Sequence, residues 1–211
     1  MPTVRTRFFE VLCIGVPREI CDSIARLVER VERVAELVPG VVYEMTERAR
    51  LGAPSRIVVV WPRLPKRELM RHGVDLYVER MEEAGFVGAT FGGYHAVVLY
   101  RCEMEAAETA AEEALHIIFG TIAGRGYLHQ RLGAMGPLDE WLAEEMLVHE
   151  LLHRLGVITE RDLEEMRRAY EELYRREAGR SPPPGLREKV ERLAEELASR
   201  PRGGERVRAR A

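Results

Sequence analysis

Residues 146–156, which read Met-Leu-Val-His149-Glu150-Leu-Leu-His153-Arg-Leu-Gly156, constrain this chain more than any other stretch. Met146, Leu147, Val148, Leu151, Leu152 and Leu155 bury such a helix and keep water away from the polar groups it carries. Two histidines four residues apart lie on one face of a helix, so both rings can reach one cation, with Glu150 close enough to handle a metal-bound water. Zinc takes neutral imidazole nitrogens, and a site with three protein ligands keeps a fourth position for water, whose pKa falls to about 7. His149 and His153 are therefore candidate ligands, and Glu150 is the candidate general base.

Charge sets the background for that motif. Asp, Glu, Lys and Arg make up 32% of the chain, with 30 Arg against two Lys, no Asn and a single Gln, Gln130. Few amides and dense Glu and Arg point to a thermophilic source or a GC-rich genome. A net charge of -3 gives no drive toward nucleic acid or anionic membranes, and no apolar run is long enough to span a bilayer. Cys13, Cys21 and Cys102 show no CxxC spacing and are odd in number. They are expected to be small buried apolar residues without a disulfide framework, in a reducing cytoplasm.

Taken in order, residues 8–16 read as a strand ended by Gly15 and Pro17, and residues 18–38 as an amphipathic helix stopped by Pro39-Gly40. A short strand is expected at 41–45 and a central one at 56–61, between Pro54 and Pro62. Residues 66–84 are interrupted by Gly73 and stay open, with 74–78 able to form a strand between two short turns. Another strand follows a glycine-rich stretch at 94–100, so the first half alternates β and α elements. Residues 103–119 are helical, and a second helix opens at Pro137 and runs into the HExxH stretch until Gly156. Thr159 is an N-cap candidate for a helix over 160–177. The expected division is a domain over 1–178, a Pro-rich linker at 179–185, and a short helix with an arginine-rich tail over 186–211.

Several stretches together resemble the archaemetzincins. They are Val74-Asp-Leu-Tyr-Val78, Phe86-Val-Gly-Ala89, Gly92-Gly93 leading into Ala96-Val-Val-Leu-Tyr-Arg101, and His149-Glu-Leu-Leu-His153-Arg-Leu-Gly156. The resemblance covers residues 8–159. It implies an α/β (α+β) zincin-like fold, in which a mixed sheet is packed by helices around an HExxH helix and the C-terminus is helical. It also implies a zinc peptidase of aminopeptidase type acting on peptides. The family pattern places a third histidine at Thr159 and a cysteine at Glu160, and neither is present. With no cysteine after Cys102, a second, structural zinc is not expected. A carboxylate can complete a two-histidine site, and Glu160 is the first candidate, with Glu164 and Glu165 as alternatives.

The leading expectation is thus a one-zinc metallopeptidase with Glu150 as base. The departures at the metal support a different class, a metzincin-like binding or structural protein without catalysis. A third reading starts from two ExxH pairs, Glu113 with His116 and Glu150 with His153, on consecutive helices, the layout of di-iron carboxylate bundles. His72, His95 and His129 read as surface or structural.

Overall fold

The apolar runs become strands and the glycine and proline turns set where they stop. The structure is a computed structural model that describes residues 1–133 and 135–199; the arginine-rich tail lies outside the described residues. Strands β1 (Thr3–Arg5), β2 (Phe9–Ile14), β3 (Ser55–Val60), β4 (Gly88–Phe91) and β5 (His95–Leu99) form one sheet in the order β1-β2-β3-β5-β4. The central three are parallel, and β1 and β4 run antiparallel along the two edges. A parallel centre must be covered on both faces, which explains the apolar run Ile57-Val-Val-Val60 of β3.

Side chains alternate between those two faces. Val11, Cys13, Ile57, Val59, Ala96 and Val98 enter the larger core, packed by α1 (Arg18–Glu32) and α5 (Glu103–Gly120). Ile14, Val60, Val97 and Leu99 face the smaller one, closed by α3 (Lys66–Arg71) and α4 (Asp75–Ala84). Helices α6 (Ile122–Leu132), α7 (Pro137–Arg154), α8 (Glu160–Ala178) and α9 (Leu186–Ser199) complete the larger core. The architecture is mixed α and β, and among the described residues no helix is long and apolar enough to cross a membrane.

Three local expectations change and the open segment 74–78 is decided. Residues 41–45 belong to helix α2 (Val41–Arg50), because Gly40 at φ +87° starts a turn there and Val41 and Met45, one helical turn apart, both find the core. The segment 74–78 enters α4. Residues just after α5 form a separate helix, since the Thr121 hydroxyl bonds both the Ile118 carbonyl and the Gly124 N–H at a sharp corner. Helix α9 is no appendage: Leu186, Val190, Leu193 and Leu197 join the main core beside α7.

Cysteine behaves differently too. Cys13 and Cys21 form a disulfide across 6.0 Å between Cα atoms, because the Gly15–Pro17 turn folds the start of α1 back beside the end of β2; Cys102 is free and exposed. The bond closes a loop of sequence separation 8. On chain-entropy grounds its reduction should cost about 2.5 kcal/mol. Urea melts with and without a reductant, or of the C13S/C21S variant, should show that loss.

Candidate metal centre

Helix α5 leaves the sheet from β5 and packs its alanines, Ala106, Ala107, Ala110, Ala111 and Ala114, into the core. That close seat brings its polar residues against the edge strand. A Cβ on Gly88 of β4 would stand 2.4 Å from Thr109 Cγ2 and 2.6 Å from Glu113 Oε1, so glycine is required for the strand to lie on the helix. Thr90 on the same strand donates its hydroxyl hydrogen to Glu113. Across from β4, α7 presents Trp141, Glu144 and Glu145, and α8 presents Tyr170 and Leu173. These walls line an open cavity of about 630 Å³.

Ligand-type atoms of Glu112, His116 and Glu145 gather here within 4.8 Å of one another, the sole such group of three among the described residues. Both imidazoles at this place are oriented from behind. His116 Nδ1 lies 3.0 Å from Glu144 Oε1, leaving Nε2 to face Glu145 Oε2 at 3.6 Å. His149 is 3% exposed, and its Nδ1 lies 2.8 Å from the Glu145 carbonyl oxygen. A carbonyl only accepts, so that nitrogen carries the hydrogen, and Nε2 turns to Glu112 Oε1 at 3.4 Å. Burial lowers the His149 pKa and keeps the ring neutral. A lone pair therefore faces a carboxylate oxygen. Two acceptors so placed need a cation between them, a proton or a metal ion.

The separation suits either cation. Ligand atoms about 2.0 to 2.1 Å from a tetrahedral ion stand roughly 3.3 to 3.4 Å apart, close to the His149–Glu112 separation. Glu145 Oε2 is buried and accepts no hydrogen bond, a free coordinating atom. Histidines that bind metals commonly donate their other N–H to a carbonyl or carboxylate, as both do here.

The electrostatics match. Burial raises the carboxyls of Glu112 and Glu145, with His116 opposing in both cases. Burial pushes Glu113 up to about 7 against the pull of His116. Burial also opposes charge on His116, yet the Glu144 hydrogen bond and the carboxylates of Glu145, Glu113 and Glu144 outweigh it and raise the ring to about 10. Without a metal the proton on His116 is the counter-charge to four crowded acids. Tyr170 is held protonated far above its ordinary range by burial and by the charges of Glu145 and Glu112, so its hydroxyl is a permanent donor.

The residues of the HExxH motif separate. His149 joins the cluster, whereas His153 Nε2 pairs with Glu160 Oε2 at 2.9 Å, beside an Nδ1 that is buried without a partner. Glu150 turns the other way. Its carboxylate is 4% exposed and held by Arg154 Nε at 2.9 Å and by Arg167 Nη2. Arg167 also binds Glu191 at 3.0 Å and Glu164 at 2.5 Å, and Glu165 pairs with Arg161. The atoms of His149, His153 and Glu160 do not converge, and Glu150, Glu164 and Glu165 are occupied by arginines. No family model, curated protein or solved structure matches the chain.

Sequence reasoning missed Glu112, Glu144, Glu145 and Tyr170. A signal existed in the spacing Glu-x-x-x-His, which occurs at Glu112/His116 and again at Glu145/His149. Positions four apart share a helix face, as the two residues of each ExxH pair do less closely.

Proposed function

We propose that the chain is a metal-dependent hydrolase of peptide bonds whose ion, zinc in the first instance, is held by Glu112, His116 and Glu145, with His149 beside Glu112. The observation that carries this is the pair of imidazoles anchored at Nδ1 and turned at Nε2 to carboxylate oxygens of Glu112 and Glu145. Glu112-Glu113-Ala-Leu-His116 has the ligand–base–x–x–ligand layout that makes HExxH work, with a carboxylate as first ligand. A bound zinc ion supplies an acidified water and a Lewis acid for the scissile carbonyl.

The chain's own groups do the rest. Glu113, next to both α5 ligands and inside the cavity, accepts the proton of the attacking water and passes it to the leaving amine. Tyr170 donates its O–H to the oxygen on which charge develops. Glu144 fixes the His116 ring, and Trp141 and Leu173 give the cavity an apolar wall against which a substrate side chain can pack. Peptides as the substrate class, and aminopeptidase action, rest on the archaemetzincin resemblance alone, of whose HExxH motif only His149 stands beside this centre. Removal of the base tests the reading: zinc-loaded E113Q should keep its metal and lose about 10²- to 10⁴-fold in hydrolysis of a peptide pool. Unchanged hydrolysis in E113Q refutes it.

One observation favours a second reading. Glu112 and His116 on α5 face Glu145 and His149 on α7 reciprocally, and Glu113 and Glu144 flank them, a set of four carboxylates and two imidazoles suited to an iron carboxylate centre. Iron rather than zinc by elemental analysis, with a visible absorption band, selects it.

A further inference from the structure

We propose that Arg125 is a substrate-binding residue that anchors the free carboxylate of a short peptide inside the cavity; this rests on the hydrolase reading above. Arg125 is the one arginine or lysine among the residues lining a cavity that also carries Glu112, Glu113, Glu144 and Glu145. It is exposed and enters no ion pair among the described residues, unlike its helix neighbour Arg131, which is held by Glu196 and Tyr127. Its position follows from the corner between α5 and α6. Gly93 and Gly120 meet at this end of the cavity, where a Cβ on Gly93 would stand 3.1 Å from the Gly120 carbonyl oxygen. His116 is one helical turn before Gly120, and Arg125 closes the first turn of the next helix.

A carboxylate held by Arg125 shares one cavity with Glu112, His116 and Glu145, so a short peptide bound by its C-terminus lies along the wall that carries them. One guanidinium satisfies a planar carboxylate with two parallel N–H···O bonds. A phosphate dianion is a poorer fit, because the acidic wall repels it and no second lysine or arginine lines the cavity.

Binding decides the matter separately from catalysis. N-acetyl-Ala-Phe and its C-terminal amide are titrated by calorimetry into zinc-loaded wild type, R125Q and R125K. Wild type should bind the acid at least about tenfold tighter than the amide, a preference that shrinks toward unity in R125Q and recovers only in part in R125K. Equal affinity for acid and amide in wild type, binding of neither, or an undiminished preference in R125Q overturns the assignment. So does displacement of the acid by inorganic phosphate far better than by acetate, which would give the guanidinium to phosphate esters. Zinc content and hydrolysis measured on the same samples report on the hydrolase reading alone, so the two can fail independently.

Discussion

Replacing His116 by alanine should abolish stoichiometric metal binding, while replacing His153 by alanine should not. His116 faces Glu145 Oε2 and belongs with Glu112 to the convergent group, whereas His153 is paired with Glu160 outside it. Wild-type protein dialysed against zinc is expected to hold one equivalent, H153A the same, and H116A none. Stability gives a second measure. A site saturated a hundredfold above its dissociation constant adds about 2.7 kcal/mol, so chelation should lower the wild-type melting temperature by roughly 5 to 11 °C and leave H116A unmoved. The opposite pattern, metal lost in H153A and kept in H116A, would return the centre to the HExxH motif.

The second large effect lies on the opposite side of α7. Arg167 is 8% exposed and bridges Glu150 of α7, Glu164 of its own helix and Glu191 of α9. Alanine there strands the Glu150 carboxylate in the interior with only Arg154 near it. Removing one partner of a buried pair typically costs about 3 to 5 kcal/mol, so R167A should melt roughly 6 to 20 °C lower. The double variant E150L/R167M removes both charges and should recover most of the loss. Calorimetry of the two proteins measures this directly. A fall of less than about 1 kcal/mol in R167A would mean the network is not structural, and Glu150 would again be free for chemistry.

Much of the scaffold was legible in the sequence because it depends on local pattern. The β2 and β3 runs, the amphipathic α1, Pro137 at the start of α7, Gly156 at φ +68° and the capping box of Thr159 with Asp162 are each set by neighbours in the chain. Val41-Val42-Tyr43 misled because its β-branched residues suit a strand, and only the depth of Val41 and Met45 in the core decides for helix. The disulfide was hidden for a similar reason, since the spacing of Cys13 and Cys21 says nothing of the turn that folds one onto the other.

The candidate centre was half legible. His149 was paired in the sequence with His153, whereas its Nε2 faces Glu112 of another helix, because spacing fixes which residues share a helix face but not what stands opposite. Glu112 and His116 become neighbours of Glu145 and His149 only through the packing of α5 on α7. With 31 glutamates in the chain, no composition argument picks out the four that line one cavity. Glu150 shows the converse. Its fate rests on Arg167 and Glu191, 17 and 41 residues further on, which only the docking of α8 and α9 reveals.

That late docking has a consequence for how the chain matures during synthesis. Helix α9 brings Glu191 to Arg167 and places Val190, Leu193 and Leu197 beneath α7, so the larger core is closed by a helix that is made well after the sheet it helps to cover. Until α9 docks, Arg167 lacks part of its neutralising shell and an oily face stays open, the kind of transient exposure that invites aggregation during folding.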